Sequence, residues 1–358
     1  MSDAAAPIGV GLIGFGLAGR VFHAPLVEAR PELRLVAVAT SRVEVLAAEH
    51  PGADAVASPE ALIADPRVEL VVIATPNDTH EPLAAMALKA GKAVVVDKPF
   101  TLDLASARRL LDLAGRQGRL LSVFQNRRWD SDFLSVRQAI DDGAIGRVVH
   151  FESHFDRFRP QVRARWREGD GPGAGVWFDL GPHLVDQALQ IFGLPIEVTA
   201  SLGALRDGAV APDWAHVVLR YPASRVVLNA SMLAAGGVAS FTVHGDQGSL
   251  VKRQPDPQEA QYVAGQRSGD PGWGKDPDPL VRWDGDGDVT TTPAPAGDHG
   301  RYYAEIAGAV RGQAPNPTPA HEVLGVMAVI EAANRSSEAG SAIRLDTLLT
   351  AEERVWPG

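Results

Sequence analysis

Ile8-Gly9-Val10-Gly11-Leu12-Ile13-Gly14-Phe15-Gly16-Leu17-Ala18-Gly19 is the stretch that decides the fold. An apolar run long enough for one buried strand feeds a Gly-x-Gly-x-x-Gly turn. Apolar residues such as Val21 and Leu26 then continue at helical spacing. Strand, glycine turn and helix in that order form the context in which this motif binds a dinucleotide. Gly14 permits the tight turn, Gly16 leaves the backbone bare for a diphosphate, and Gly19 lets helix and strand pack closely. The helix N-terminus offers unpaired N–H groups and partial positive charge to phosphates. Phe15, Leu17 and Ala18 join Gly14 and Gly16 as cofactor-binding candidates. The competing reading is an ordinary βα turn.

Outward from this turn, β-branched apolar runs recur at Leu33–Ala39, Leu70–Ala74, Ala93–Val96 and Arg119–Phe124. Segments of helical period separate several of them. Pro82–Ala90 is one, closed by Gly91. Thr101–Leu113 is another, opened by Thr101-Leu102-Asp103 as a cap with a carboxylate in the first turn. Near-continuous apolar strands alternating with helices predict a doubly wound parallel sheet, an α/β Rossmann domain over residues 1–125. Ligands of such sheets bind at the carboxyl ends of strands. That draws attention to Thr40-Ser41-Arg42, Thr75-Pro76-Asn77, Asp97-Lys98-Pro99 and Gln125-Asn126-Arg127-Arg128.

The pattern changes after Trp129. Ser131–Asp142 reads as a helix ended by Gly143. Arg147–Phe158 alternates, with His150, Glu152, His154 and Asp156 on one face and Val149, Phe151 and Phe155 on the other. Such alternation predicts a half-exposed antiparallel strand. Ile196–Leu202, Trp214–Tyr221, Arg225–Leu233 and Val238–His244 are further strands, with a hairpin at Tyr221–Arg225. Residues 126–358 are therefore expected to form an α+β domain with a large, mainly antiparallel sheet, for substrate binding and oligomerisation. Lys252–Gly300, dense in Pro, Gly and Asp, reads as a long loop. Helices at Arg301–Arg311 and Ala320–Ala339 follow it.

Composition narrows the function. A chain of 358 residues is expected to hold two domains. A net charge of −10 argues against a nucleic-acid surface. With no cysteine, disulfides and thiolate chemistry are excluded. No basic leader precedes the first strand, and no apolar run approaches the ~20 residues of a membrane helix. A cytoplasmic protein without a membrane partner is the expectation. No metal site is expected either, since His150 and His154 share a strand face without a well-spaced third ligand.

Gly175-Val-Trp-Phe-Asp179-Leu-Gly-Pro182-His183 is the second landmark. Pro182 suits the first turn of a helix whose apolar face is Leu184, Val185, Ala188, Leu189 and Phe192. Asp179 and His183 then bracket a helix start, where an imidazole moves protons and a carboxylate orients hydroxyls. A capping aspartate beside a packing histidine is the alternative. Lys98, at the end of a parallel strand, points into the crevice, where an ammonium stabilises an alkoxide. Its alternative is a surface lysine. His80 is a candidate for the same crevice, though Asn77 to Thr79 equally suit a helix cap. Seven arginines, 127, 128, 157, 159, 163, 165 and 167, read mostly as a solvated face, with contact of a few to a cofactor phosphate or the substrate as the alternative.

An NAD site of this type carries a carboxylate at the end of the second strand. Here Thr40-Ser41-Arg42 stand there, and the first carboxylate is Glu44. Ser41 suits a hydrogen bond to a 2′-phosphate, and Arg42 an ion pair with it. Ser41 as a helix cap and Arg42 as a solvated side chain form the alternative. NADP is the expected cofactor, ahead of NAD.

Together the glycine turn, Thr75-Pro76-x-x-x-His80, Asp97-Lys98-Pro99 and Gly175-x-x-x-Asp179-x-x-x-His183 resemble the glucose–fructose oxidoreductase, inositol dehydrogenase and MocA (Gfo/Idh/MocA) family, over nearly the whole chain. The family's usual Glu-Lys-Pro is here Asp97-Lys98-Pro99. Residues 122–133 and 151–161 are similar to those of bacterial NADP-dependent scyllo-inositol dehydrogenases. The resemblance implies Lys98, Asp179 and His183 as the catalytic set and a cis Lys98–Pro99 bond. It also implies a cofactor site holding Gly14, Phe15, Gly16, Leu17, Ala18, Ser41, Arg42, Thr75, Pro76, Asn77, His80, Asp97, Lys98 and Asn126. The expected substrate is a cyclic polyol or sugar, scyllo-inositol foremost. Another inositol or aldose, or a non-catalytic NADP-binding regulator, stands as the alternative. A homo-oligomer is expected through an exposed sheet face.

Overall fold

Six short strands carry the first unit of the computed structural model, which describes residues 6–356. They are β1 (Ile8–Ile13), β2 (Leu33–Ala39), β3 (Asp54–Val56), β4 (Leu70–Ile73), β5 (Ala93–Val96) and β6 (Leu121–Val123). The order is β3-β2-β1-β4-β5-β6, every pair parallel. All residues of β1, β4 and β5 are buried, as a sheet covered by helices on both faces requires. Strand order reverses beside β1, and in such sheets that switch point opens the ligand crevice at the strands' carboxyl ends.

Helices His80–Lys89 and Leu104–Gln117 flank these strands. The second begins three residues after the expected Thr101, because the Asp103 carboxylate is itself the cap, accepting from the Ser106 amide at 2.7 Å. Gly118, at φ 59°, ends it.

The chain through Asn126 does not complete this unit, which also takes in Gln258–Trp273 and Asp298–Ala320. Helix Gly300–Val310 buries Tyr302 and Tyr303 entirely. The Tyr302 hydroxyl donates to Ser122 Oγ at 2.9 Å, and the Tyr303 hydroxyl lies 2.6 Å from His23 Nδ1. Thr318 Oγ1 accepts from the Val123 amide at 2.9 Å.

Nine strands form the sheet of the second unit: β7 (Val148–Asp156), β8 (Glu197–Gly203), β9 (Trp214–Arg220), β10 (Arg225–Ser231), β11 (Phe241–Gly245), β12 (Gly248–Lys252), β13 (Leu280–Asp284), β14 (Val289–Thr292) and β15 (Ile343–Arg344). Their order is β14-β13-β12-β11-β7-β10-β9-β8-β15. The sheet is mixed. β7 pairs antiparallel with β11 but parallel with β10, correcting the expectation of a purely antiparallel strand. Helix Val176–Phe192 lies between them in sequence and supplies the crossover that a parallel pair needs. The hairpin at Tyr221–Arg225 is present, with Arg225 opposite Arg220.

Lys252–Gly300 is not a loop throughout: it holds helix Gln258–Val263 and strands β13 and β14. β14 is an edge strand exposed along its whole length, so no apolar alternation marks it in the sequence. No helix among the described residues is long and apolar enough to cross a membrane.

Candidate active site

Gly14 adopts φ 96°, a backbone state that favours glycine. A Cβ on Gly19 would stand 2.0 Å from the Gly14 carbonyl oxygen, so turn and helix meet at a distance only glycine permits. A Cβ on Gly16 would meet nothing within 4 Å: there the turn presents bare backbone to open space. Helical chain runs on from Ala18 to Glu28, its first six residues in wide π-type turns. This cradle fits a dinucleotide diphosphate. Phe15 is buried with its edge toward His50, while Leu17 is exposed at the turn's tip.

Past β2, Ser41 and Arg42 are both exposed. Helix Val43–Glu49 begins after Arg42, and no side chain caps it. Ser41 is thus not the cap that its alternative reading required. The Arg42 amide donates to Thr40 Oγ1 at 3.0 Å. The chain beyond β4 is also tightly held. Thr75 Oγ1 lies 2.6 Å from Thr79 Oγ1, which donates to the Pro76 carbonyl at 2.7 Å. Asn77 is buried in this turn.

His80 departs from its expected place along a crevice. Its ring is fully buried, with Nδ1 2.8 Å from the Pro99 carbonyl and Nε2 3.0 Å from the Thr75 carbonyl. Burial lowers its pKa and favours the neutral ring, whose single N–H donates to one of these two carbonyls. His80 therefore ties the chain after β4 to the chain after β5, a positioning task.

The Lys98–Pro99 bond is cis, as the resemblance implies. Before it, Asp97 is buried and accepts from the Lys98 amide at 2.8 Å. Burial alone would raise the Asp97 carboxyl. The His23 ring, its Nε2 3.9 Å from Asp97 Oδ1, and the charges of Lys98 and His80 outweigh that and hold it at about 2. A fixed anion thus lies directly behind the half-exposed Lys98. Asn126 is buried, its amide nitrogen 3.3 Å from His299 Nδ1.

In the second unit, helix Val176–Phe192 starts at Gly175 (φ 96°), well before Pro182. The expected start at Pro182 is corrected: this proline lies inside the helix, and the N–H it lacks would have bonded Phe178 of the first turn. Asp179 occupies that first turn and His183 follows one turn later on the same face. His183 is buried, with Phe155 stacked at 6.5 Å and 27°. The Arg127 and Arg157 guanidinium groups lie 4.6 and 5.0 Å from the Phe155 ring.

One turn on, Gln187 donates to the Arg127 carbonyl at 2.8 Å, and Asp186 takes two bonds from Arg128, at 2.8 and 2.5 Å. Arg128 also meets Glu322 at 2.6 Å. A cavity of about 250 Å³ opens beside this helix, lined among others by Arg127, Asp130, Asp132, Phe155, Asp156 and Gln187. Burial, reinforced by Asp130 and Asp256, pushes the Asp132 carboxyl well above its usual range. His150 and His154 bond Glu152 and Asp156 on their own strand, at 2.9 and 3.1 Å.

Of the seven arginines read mostly as a solvated face, Arg128 is buried, and Arg206, which no pattern in the sequence singles out, is buried too. Their carboxylate partners are distant in sequence or belong to other elements, so spacing gives no signal.

A family model described as the oxidoreductase family's NAD-binding Rossmann fold matches residues 8–125, and one for its C-terminal alpha/beta domain matches 137–345. The chain is 49% identical to the Escherichia coli oxidoreductase YdgJ, covering 90% of this chain and 94% of that protein. It is 36% identical to the NADP-dependent scyllo-inositol 2-dehydrogenase IolW of Bacillus subtilis, covering 95% and 96%. A crystal structure from Klebsiella pneumoniae superposes with a TM-score of 0.91 at 53% identity, covering 98% of this chain and 97% of that one.

Proposed function

The chain belongs to the Gfo/Idh/MocA oxidoreductase family, and from that premise we propose an NADP-dependent dehydrogenase of a cyclic polyol, with scyllo-inositol and its 2-keto form as the reacting pair. The protein is an oxidoreductase of CH–OH donors with a dinucleotide-binding domain. The observation that carries the finer reading is the second unit's helix. It sets Asp179 and His183 on one face, and the following residues Leu184 and Gln187, rather than that pair, line a cavity of about 250 Å³ with polar groups. A ring bearing hydroxyls all round needs donors and acceptors on several sides, and Arg127, Asp130, Asp132 and Gln187 supply both kinds.

In this reading His183 takes the hydroxyl proton, the Lys98 ammonium stabilises the alkoxide, and Asp179 orients the polyol. Bound NADP supplies the hydride acceptor. Gly14, Phe15, Gly16, Leu17 and Ala18 would hold its diphosphate. Thr75, Pro76, Asn77, Asp97 and Asn126 would border the rest, and His80 would hold the strand ends in place. The enzyme works as a homo-oligomer, which sedimentation velocity checks.

A panel of inositols and aldoses, assayed for NADPH formation, tests the reading. Scyllo-inositol is expected to give the highest kcat/KM. Binding of NADP without turnover of any member would make the protein a regulator instead. The cofactor preference has its own test. With Ser41 and Arg42 exposed and no carboxylate at the strand end, Arg42→Ala is expected to weaken NADP binding roughly ten- to a hundredfold, the range of a lost charge-assisted contact, and to leave NAD binding nearly unchanged. Fluorescence titration of both cofactors decides it, and tighter binding of NAD by the unmodified protein would refute the preference.

A further inference from the structure

Residues 157–175 run from the end of β7 to the start of the Asp179 helix, and they carry the densest run of arginines in the chain. One of these, Arg167, sets its Nε 3.3 Å from Asp179 Oδ1. Its guanidinium also lies over the Trp166 ring at 4.4 Å, and its carbonyl accepts from the Gly175 amide at 2.8 Å. Head and backbone of this side chain are therefore both fixed.

A buried latch holds the residue beside it. Arg206 meets Glu168 Oε2 and Asp213 Oδ2, each at 2.9 Å, with side-chain exposures of 3%, 8% and 3%. Its Nη1 donates to the carbonyls of Arg159 at 2.9 Å and Gln161 at 3.2 Å. Glu168 in turn accepts from the Arg163 amide at 3.0 Å and from Arg165 Nε at 2.6 Å. The strap is thus anchored along its length to a guanidinium on another element. A solvated arginine run would show none of these contacts, and an isolated exposed ion pair would contribute little.

We propose that Arg167 is a positioning residue for Asp179, held by the Arg206 latch, and that the strap thereby sets the affinity for the polyol. The proposal rests on the reading of Asp179 as the carboxylate that orients the substrate. A carboxylate that must accept hydroxyl groups works best ionised and fixed in one rotamer. A guanidinium held by a ring and a pinned backbone provides both. Arg167 touches neither proton transfer nor hydride transfer, so its loss falls on binding and spares turnover.

A double-mutant cycle on the full-length, cofactor-loaded enzyme separates the possibilities. The ligand is the panel member with the highest kcat/KM; its Kd is measured by calorimetry with NADPH in place of NADP, so that no hydride is transferred, beside KM and kcat with NADP. Arg167→Met is expected to raise polyol Kd and KM roughly tenfold with kcat within threefold, and Arg167→Lys to restore part of the loss. In an Asp179→Asn background the same Arg167→Met change is expected to alter Kd less than twofold, since the group it positions is gone. Equal effects in both backgrounds, or none in the unmodified enzyme, would overturn the proposal while leaving the assigned reaction intact. An unchanged polyol Kd in Asp179→Asn alone would instead overturn the reading of Asp179, and this proposal with it.

Discussion

His183→Ala and Lys98→Met are each expected to lower turnover by about 10²- to 10⁴-fold, the usual contribution of a positioned acid–base or charge-stabilising group. His183 is buried against Phe155, one helical turn from Asp179. Lys98 is half-exposed, with the ionised Asp97 fixed behind it. NADP affinity is expected to stay within a few-fold, because the glycine turn and Arg42 hold the cofactor in the proposed arrangement. Asp179→Asn is expected to raise KM as well. Steady-state kinetics with a parallel NADP titration reads all three variants. Losses below about tenfold in both His183→Ala and Lys98→Met would remove these residues from the chemistry.

Arg128→Met is expected to destabilise the second unit by about 3–5 kcal/mol, the cost of breaking a buried charge network on one side. Arg128 and Asp186 are 8% and 2% exposed, joined by two bonds, with Glu322 on the same guanidinium. Burial raises the Asp186 carboxyl, Arg128 pulls it back, and Glu322 adds a further push upward. Without the guanidinium the buried Asp186 carboxylate is left beside the part-buried Glu322 with no cation between them. The sign of the pH dependence follows. The variant's Asp186 has a folded pKa above its unfolded one, so the deficit is smallest at low pH and grows as pH rises through that range. Denaturant titrations at two pH values measure it. A loss under 1 kcal/mol would mean that water reaches the triad. Replacing Arg128, Asp186 and Glu322 together by apolar residues of similar size is expected to recover most of the loss.

The first unit was legible because its information is local. A glycine turn, strands buried on both faces and a capping Asp103 each declare themselves within a few residues. The candidate site was legible as landmarks: strand ends and the Asp179–His183 pair. What lay hidden is set by partners remote in sequence. His80 reads as a crevice residue in the sequence, while its ring is buried between the Thr75 and Pro99 carbonyls. Pro182 suggested a helix start, whereas Gly175 provides the turn that opens the helix. β14 escaped because an edge strand exposed throughout has no buried face to pattern.

The two tyrosines that fill the first unit's interior come from far along the chain, and this imposes an order on synthesis. When the ribosome has released Asn126, all six parallel strands exist, but Ser122, Val123 and His23 still lack Tyr302, Tyr303 and Thr318. At roughly 5–20 residues per second, about 190 more residues delay their arrival by some 10–40 seconds. The nascent sheet spends that interval without these side chains, while the second unit's first two segments, Arg127–Pro257 and Gly274–Gly297, emerge and its last, from His321, is still to come. A gene cut after Asn126 would keep the nucleotide fingerprint and lose the residues that close its core.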